Sequence, residues 1–438
     1  MTQKAICHRL SQAVVISVLT LLLVANARAA GRESVLHTFG GTPAKYPDSS
    51  LIADAAGNLY GTTTGGGSSD CFDGCGTVFK LSPISSGFSY SVLYVFKNAQ
   101  EGDFASSNLI FDTVGNLYGT TELGGDNDAG NVFKLTPTAS GRWTESVLYS
   151  FRAGDDGSAP NGGIVFDGAG NLYGTTVAGG GGGCQPTGGC GTVFELSPGS
   201  GGVWTETILH RFQENGKDGN NPISGVIIDA PGNLYGTTFS GGTGTCNSGV
   251  TGCGTVFELS PSSGGWTENV LYSFQGGSDG DVAYGNVIFD SSGNLYGTTQ
   301  RGGNLDCGAV FELTPNSGGN WAESLLYQFA CRKDGGYPAT GVTLDAAGNL
   351  YGTAGQSGEW GFGTIFKLVP VPGKWTFGLL HGFTGNRDGG FPQGSLILDP
   401  TDSHLYGTTN IGGNSAGFGV VFEITLQFRL SRSWIVMN

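Results

Sequence analysis

The chain has 438 residues, 81 of them glycine, and a formal net charge of −15 at pH 7. This balance argues against nucleic acid and anionic membrane surfaces as partners, because both are negatively charged themselves. The glycine content is far above the usual share of about 7% and has no collagen-like triplet period, which indicates turns between many short strands.

The first residues have the organisation of a secretory signal peptide. Lys4 and Arg9 precede an uncharged apolar run from about Ala13 to Ala25, and Ala27-Arg28-Ala29 has the small-residue pattern of a cleavage site. The alternative is a membrane anchor, but the run is shorter than the roughly 20 residues that a spanning helix needs. We therefore predict a signal peptide over residues 1–29, no membrane span after it, and a protein that is secreted, periplasmic or on the cell surface.

The motif GNLYGTT recurs through the rest of the chain at intervals of about 55 to 62 residues, which is typical of a repeat architecture. Its seven copies, the last two with changed letters, start at Gly57, Gly115, Gly170, Gly232, Gly293, Gly348 and Ser403. The unit from Gly285 to Phe329 contains four short predicted strands, NVIFD, NLYGTT, AVFELTP and ESLLYQF, separated by turn residues. No helical period appears after the signal peptide.

The fourth strands of the units indicate how the repeat closes. A motif like SVLYSF follows each of the first six units, but the seventh ends at Val420 to Thr425 without one, and the missing copy, Ser34 to Phe39, precedes the first unit. A ring closed by pairing the two ends leaves no open sheet edge. We therefore predict an all-β, seven-bladed β-propeller of four-stranded blades over residues 30–425, with the N-terminal strand completing the last blade. Residues 426–438 form a tail of uncertain structure, in which Ser433 to Val436 imitates a fourth strand.

Most of the repeated side chains are interpreted as structural. The Asp of each D-x-x-G-N turn can bond its own backbone, and Gly-Asn accepts left-handed dihedral angles. The Tyr of NLYGTT, the Phe of the third strand and the Trp ahead of the fourth are expected to pack between units. The Asp-Gly pairs of the loops that enter the blades are either turn residues, which repetition favours, or an acidic crown that binds cations or a polar ligand at the channel mouth. They contain Asp156, Asp218, Asp279, Asp334 and Asp388.

The cysteine spacing predicts disulfide bonds. Three close pairs lie at one equivalent place in three units, and Cys307 lies at that place in the fifth unit, with Cys331 in the following loop. Local disulfides in an oxidising compartment explain this pattern. A zinc site is the rival interpretation, but the spacings are wrong and no histidine lies nearby. The predicted pairs are Cys71–Cys75, Cys184–Cys190, Cys246–Cys253 and Cys307–Cys331.

The complete unit, DG..P..G(V/L)I.D..GNLYGTT..GG...GTVFKL, resembles the GloVer tandem repeat of choice-of-anchor proteins, which are secreted bacterial proteins with varied C-terminal anchors. The resemblance covers essentially all of the chain after the signal peptide. It implies a repeat domain without an assigned activity and brings no catalytic residues. Where the family often has a sorting or anchoring tail, residues 426–438 carry no such pattern.

Candidate ligand-binding residues lie on the loops that join second to third strands and on the loops between blades. These loops emerge on one face of the disc and vary most between units, and variable loops on a rigid scaffold commonly carry function. Residues that interrupt the repeat there are not required by packing, and they are Trp360, Glu359, Arg301, Tyr337, Arg387 and Glu122. A loop Trp such as Trp360 either stacks on a sugar ring or folds back onto its own blade.

One loop has a calcium-like pattern. Asp126-Asn127-Asp128-Ala129-Gly130 begins like a calcium loop, but Pro137 occupies the place of the bidentate glutamate, so the loop is no EF-hand. Asp126 and Asp128 are the candidate metal ligands, and calcium is the one cofactor considered. The histidines His37, His210 and His381 replace tyrosines on outer strands, which argues against Ser-His-Asp and three-histidine metal chemistry at the channel mouth.

These observations predict a secreted, monomeric binding module that recognises a glycan or a protein through the variable-loop face, rather than an enzyme. One alternative is an extracellular polysaccharide hydrolase or lyase, which requires two carboxylates roughly 5 to 10 Å apart in a pocket at the channel mouth. Another is a purely structural surface protein, which requires a flat or plugged face.

Overall fold

The computed structural model describes residues 31–184, 188–246 and 251–426. The predicted signal peptide and the tail from residue 427 onward therefore lie outside the described residues. Within the described ranges, seven antiparallel sheets of four strands form the blades, and in blade 5 a short additional strand joins the sheet. The predicted all-β, seven-bladed propeller is confirmed.

The strands are numbered in chain order. Those of the N-terminus and blade 1 are β1 (Gly31–Thr38), β2 (Ala44–Lys45), β3 (Ile52–Ala53), β4 (Leu59–Thr63), β5 (Gly65–Gly66), β6 (Thr77–Ile84) and β7 (Gly87–Val95). Blades 2 and 3 contain β8 (Ile110–Phe111), β9 (Leu117–Thr121), β10 (Asn131–Pro137), β11 (Trp143–Ser150), β12 (Val165–Phe166), β13 (Leu172–Thr176), β14 (Thr192–Pro198) and β15 (Trp204–Arg211).

Blade 4 and its loops contain β16 (Gly219–Asn220), β17 (Ile227–Ile228), β18 (Leu234–Thr238), β19 (Ser240–Gly241), β20 (Thr255–Ser262) and β21 (Gly265–Ser273). Blade 5 contains β22 (Asp281–Ala283), β23 (Ile288–Phe289), β24 (Leu295–Arg301), β25 (Ala309–Pro315) and β26 (Trp321–Gln328). Blades 6 and 7 contain β27 (Thr343–Leu344), β28 (Leu350–Ala354), β29 (Thr364–Val371), β30 (Lys374–Gly382), β31 (Ile397–Leu398), β32 (His404–Thr409) and β33 (Val420–Leu426). Three single-turn 3₁₀ helices, Gly154–Asp156, Ser200–Gly202 and Gly277–Asp279, lie in loops.

Blade 7 closes as predicted. Strand β1 pairs antiparallel with β33, with Gly31 opposite Leu426 and Thr38 opposite Val420. The strand order of this blade is therefore β31, β32, β33 and β1, so residues from the two ends of the described chain share one sheet.

The inner and outer strands differ in length from the prediction. In blade 5 the inner strand β23 contains two residues instead of the five of NVIFD, because the main chain before it packs against the next blade. A Cβ added to Gly285 would lie 2.2 Å from the backbone nitrogen of Gly341. The outer strand β26 begins two residues early, since Trp321 already pairs with Pro315 of the third strand.

The phenylalanine of the third strand is the reason why the third position of LYGTT is glycine. Gly297 is paired with Phe311 in the ladder, and a Cβ added to Gly297 would lie 2.5 Å from the ring carbon Cζ of Phe311. The ring of Phe311 is fully buried. The phenylalanine therefore takes the space in which a side chain at the glycine would lie.

We expect Gly297→Ala to lower the free energy of unfolding by about 1–3 kcal/mol, because the added methyl group overpacks against Phe311. The measurement is urea or thermal unfolding. Gly264→Ala is the control, since Gly264 is exposed and a Cβ there meets nothing within 4 Å. Equal stability of the two variants would contradict this account of the motif.

The first threonine of LYGTT joins neighbouring blades. The Thr298 hydroxyl donates a hydrogen bond to the carbonyl oxygen of Thr340 in the next blade, at 2.6 Å. At the closure, the Thr408 hydroxyl of blade 7 donates to the carbonyl oxygen of Ser49 in blade 1, at 3.0 Å. Buried hydroxyl groups are thereby satisfied across the blade boundary.

The repeated aromatic residues pack between blades, as expected. The Tyr235 ring of blade 4 lies edge-on to Phe289 of blade 5, with ring centroids 4.9 Å apart. Phe274 of blade 4 makes a similar contact with Phe311 of blade 5, at 5.2 Å. Trp266 of blade 4 lies 6.0 Å from Tyr173 of blade 3. Such contacts bury apolar surface at the blade boundaries.

The aspartates of the D-x-x-G-N turns serve the turn. The Asp54 carboxylate accepts hydrogen bonds from the backbone N–H groups of Ala56 and Asn58, at 2.9 and 3.0 Å, and from the Tyr60 hydroxyl at 2.9 Å. Burial alone would raise the pKa of Asp54, but the hydrogen bonds from Asn58 and Tyr60 hold it below its usual range.

All four predicted disulfides are present: Cys71–Cys75, Cys184–Cys190, Cys246–Cys253 and Cys307–Cys331. The first three close short loops, and the fourth ties the second-to-third-strand loop of blade 5 to the loop that enters blade 6. In the described part of the chain, no helix is long and apolar enough to cross a membrane.

Candidate functional site at the channel mouth

Every blade is entered through a residue with left-handed backbone dihedral angles. Their φ values lie between 53° and 64°, and the residues are Tyr46, Phe104, Ala159, Asn221, Val282, Tyr337 and Phe391. This conformation is unfavourable for residues other than glycine, especially for a β-branched valine. Hydrogen bonds of the main chain hold it: the N–H of Tyr337 donates to the carbonyl oxygen of Cys307 in the preceding blade, and its own carbonyl oxygen accepts from the N–H of Gly355.

The residues that follow this turn line a cavity on the propeller axis. The cavity has a volume of about 180 Å³, and all seven blades contribute to it. The entry residue is followed by Pro or Ala and then by a lining residue that differs in every blade. These seven lining residues, called the entry ring here, are Asp48, Ser106, Asn161, Ile223, Tyr284, Ala339 and Gln393.

Small residues beside the entry ring let neighbouring blades approach through their backbones. A Cβ added to Gly225 would lie 2.3 Å from the carbonyl oxygen of Gly163, and one added to Gly341 would lie 2.5 Å from that of Asn286. The wall of the cavity is therefore largely rigid main chain. Differences in what the cavity contacts come mainly from the entry ring.

Two carboxyl groups and a tyrosine give the cavity its electrostatic character. Burial raises the pKa of Asp48 to about 6, even though the side chains of Asn410 and Thr64 donate hydrogen bonds to it. Burial also raises the pKa of Glu122. Burial and then the charges of Glu122 and Asp48 raise the pKa of Tyr284. None of the described residues that line the cavity is Lys or Arg, so the cavity disfavours anionic groups.

Of the six predicted ligand-binding residues, Glu122 is the one that lines this cavity. Arg301 and Tyr337 lie together on the loops, with the guanidinium carbon 6.0 Å from the ring centre, and Arg301 also lies 3.6 Å from Asp306. Glu359 pairs with Lys333 at 3.1 Å. The two others are exposed: Trp360, with 60% of its surface accessible, and Arg387. The six residues are thus brought to separate places rather than into one pocket.

The predicted calcium ligands are on an exposed loop of blade 2. An Asp128 carboxylate oxygen accepts a hydrogen bond from the N–H of Gly124 at 3.0 Å, and the N–H of Asp126 donates to the Ser150 hydroxyl at 2.9 Å. Asp128 has a φ of 54°. Asp128 therefore shapes the turn, and calcium binding by Asp126 and Asp128 stays a prediction.

The Asp-Gly pairs of the entering loops face outer strands. The Asp334 carboxylate accepts hydrogen bonds from the Tyr327 hydroxyl at 3.0 Å and from the N–H of Ala330 at 2.7 Å. Asp388 has the same relation to His381, whose Nε2 lies 3.2 Å from it. These aspartates anchor the end of one outer strand to the next loop and do not form an acidic crown at the channel mouth.

Sequence reasoning identified none of the entry-ring residues, including Asp48, Tyr284 and Gln393. Each occupies a position that changes in every unit while the residues on either side stay small or apolar. That contrast between a variable position and its constrained neighbours was the available signal. The longer loops between second and third strands vary more between units, so variability alone points to those loops first.

The sheet order and the ring closure define a seven-bladed β-propeller with a polar axial cavity. The model of the Gloeobacter/Verrucomicrobia repeat family matches residues 23–187, 183–319 and 243–434. The chain belongs to this family. A comparison with curated proteins finds no match.

Similar solved structures are distant in sequence. A Bacteroides uniformis protein, provisionally named a 6-phosphogluconolactonase, has a TM-score of 0.49 and 14% identity, covering 75% of this chain and 83% of its own. A Thermus thermophilus protein, provisionally named an oxidoreductase (glucose dehydrogenase), has a TM-score of 0.43 and 16% identity, covering 90% of this chain and 100% of its own. Similarity at this level says nothing about the activity of this chain.

Proposed function

We propose that the protein is an exported binding module whose axial cavity receives one small polar unit of a larger ligand, and that this ligand is a glycan. The observation that carries the proposal is the entry ring, in which seven different side chains line one cavity on a regular scaffold. Packing does not require such variety, whereas selective recognition does.

The chemistry of the cavity favours a neutral or cationic polar group. Hydroxyl and amide side chains such as Ser106, Asn161 and Gln393 can both donate and accept hydrogen bonds, as sugar hydroxyls require. At about 180 Å³ the cavity is smaller than the pockets of roughly 300–1,000 Å³ that enclose drug-sized ligands. It suits one sugar unit, with the rest of the chain over the loops.

Four disulfides support an oxidising compartment, because such bonds persist outside the cytosol. We therefore place the protein in the periplasm, on the cell surface or in the medium. The N-terminal strand completes blade 7, so the ring has no incomplete blade into which a strand of another chain could insert, which supports a monomer.

A second candidate is a polysaccharide hydrolase or lyase. It is favoured by one observation: Asp48 and Glu122 line the same cavity, and burial raises the pKa of both. A carboxyl group whose pKa is raised by burial, as it is to about 6 at Asp48, is suited to exchanging protons with a substrate. Tyr284, which experiences both charges, would lie beside the reacting group.

A glycan-array screen of the purified chain from residue 31, with and without EDTA, tests the proposal. We expect saturable binding, reduced about tenfold or more by Gln393→Ala or Asn161→Ala, because each removes side-chain hydrogen bonds to the ligand. Val203→Thr is the control on an exposed loop between third and fourth strands, and it should bind as the parent protein does.

Other outcomes each have a clear meaning. Binding lost in Trp360→Ala but retained in the entry-ring variants would move the site to the outer loops. Sensitivity to EDTA would support calcium and direct attention to Asp126 and Asp128. Shortened or unsaturated products would support the enzyme. Absence of binding to every glycan on the array would contradict a glycan ligand and favour a protein partner or a structural role.

A further inference from the structure

A similar group of three side chains occurs at successive blade junctions, and none of these side chains lines the axial cavity. Each group combines a ring near the end of one outer strand, an acid in the following loop and a side chain on the outer strand of the next blade. Three junctions contain a tyrosine and two acids: Tyr94, Glu101 and Glu145; Tyr149, Asp156 and Glu206; Tyr272, Asp279 and Glu323. In each, the tyrosine hydroxyl donates a hydrogen bond to the loop acid.

The junction between blades 3 and 4 has histidine in place of tyrosine. His210 Nε2 lies 3.1 Å from Asp218 Oδ2, and Glu268 reaches the same place from blade 4. One nitrogen or oxygen atom from each of these three side chains lies within 4.8 Å of the others. Among the residues that the structure describes, the other set with this geometry includes Cys246 and Cys253, which are joined in a disulfide.

The polar groups at this junction are incompletely satisfied by the protein. Asp218 is 7% exposed, and Glu268 Oε1 is buried without a hydrogen-bond partner. Asp218 is buried and Glu268 half-buried, and two carboxylates that face each other in this way are stabilised by a positive charge between them, which either a proton or a cation can supply. A neutral imidazole is a stronger ligand for a transition metal than the neutral phenol at the three tyrosine junctions.

We propose that His210, Asp218 and Glu268 form a binding site for a divalent transition-metal ion, with Zn²⁺ as the preferred occupant, that clamps blade 3 to blade 4. Zinc accepts imidazole nitrogen and carboxylate oxygen at about 2.0–2.2 Å and is typically four-coordinate, with water completing a three-residue site. The three donor atoms must move somewhat closer together than they lie in the structure. Glu268 Oε1 has no hydrogen bond that such a movement would break.

The chain supplies a variant that removes the site without removing the fold. His210→Tyr recreates the tyrosine and two acids already present at three other junctions, so it should fold as the parent protein does. His381→Tyr is the matched control. Its junction contains His381, Asp388 and Glu33, the same residue types, but their donor atoms do not come within 4.8 Å of one another as a set.

The test is a titration of the untagged, EDTA-dialysed protein with Zn²⁺ near neutral pH, followed by calorimetry and elemental analysis. We expect one zinc per chain in the parent protein and in His381→Tyr, and a loss of at least tenfold in affinity in His210→Tyr and Glu268→Gln. Zinc should also raise the melting temperature of the parent protein but not of His210→Tyr. Co²⁺ in place of zinc should give a visible absorption band that depends on His210.

Two results would overturn the proposal: no saturable zinc binding by the parent protein, or unchanged zinc binding by His210→Tyr. Equal melting temperatures of parent and His210→Tyr without metal would show that the variant is folded. If His210→Tyr does not fold, the loss of zinc by Glu268→Gln, which keeps the side-chain shape, decides the question.

Discussion

Deletion of residues 31–38 is expected to abolish cooperative folding of the propeller or to lower its melting temperature by more than any single substitution. The deletion removes β1, the outer strand of blade 7, and leaves the outer side of β33 without a partner strand, while its inner side stays paired with β32. It also removes the chain connection that holds Phe39, fully buried against Phe79 of blade 1 with ring centroids 5.4 Å apart. An open edge and an exposed apolar face favour aggregation.

Circular dichroism melts and size-exclusion chromatography measure this effect. The control is a permuted chain in which residues 31–39 follow Leu426 through a two-residue Asn-Gly turn. Because Gly31 lies opposite Leu426, a hairpin at this point returns the strand to its place in blade 7. We expect the permuted chain to recover most of the stability. A truncated chain that stays monomeric and melts like the parent protein would show that closure by β1 contributes little.

The melting temperature is expected to decrease as the pH rises from about 5 to 8. Burial, and then the facing acids Glu101 and Asp156, raise the pKa values of Glu145 and Glu206 to about 7. Burial and then Asp279 do the same for Glu323. Unfolding returns these groups to an ordinary pKa near 4.5, so between pH 4.5 and 7 the folded state holds more protons. The contribution of these glutamates to the free energy of unfolding is therefore fully present below about pH 4.5 and is lost as the pH rises through 7.

The turn aspartates oppose this trend at lower pH. Their pKa values lie below the usual range, as at Asp54 and Asp290, so their contribution is lost as the pH falls below about 4. Because the two effects oppose each other, we expect the melting temperature to be highest near pH 5. Most soluble proteins with ordinary carboxylates have a broad plateau that extends to higher pH.

A triple variant, Glu145→Gln, Glu206→Gln and Glu323→Gln, isolates the groups responsible. Glutamine keeps a donor for the facing acid without adding a charge, so the variant should melt several degrees higher at pH 8 and lose most of the slope. The facing acids Glu101, Asp156 and Asp279 keep their negative charges in this variant. The positive charges that remain are Lys97 near Glu145 and Arg152 and Arg211 near Glu206. Glu214→Gln, at an exposed position, is the control. An unchanged slope in the triple variant would rule out the junction glutamates.

Features that depend on local spacing could be predicted from the sequence. The motif count and the displaced strand Ser34 to Phe39 predict the closure, because strand pairing needs a partner for the last blade. The cysteine pairs predict the disulfides, because equivalent loops bring equivalent residues together. The turn aspartates follow in the same way, since each bonds groups within six residues of itself.

Features that depend on convergence between blades could not be predicted. Asp48, Tyr284 and Gln393 are far apart in sequence and meet because each left-handed entry turn directs the chain to the axis. Local propensity argues against that conformation at Val282, so the sequence contains no sign of it. The zinc-site residues His210 and Glu268 likewise belong to different repeats. Trp360 and Arg301 are unusual within their repeats, yet that feature alone says nothing about where their loops point.

The entry turns are held by backbone atoms, so the lining residue that follows each one is chemically free to differ. The main chain consequently has a near sevenfold symmetry that the entry ring lacks: an acid, a tyrosine and an isoleucine occupy equivalent places. A ligand in the cavity would therefore have a single preferred rotation about the axis. Exchanging two residues, such as Ile223 and Tyr284, would keep the composition of the ring and change the orientation that it selects.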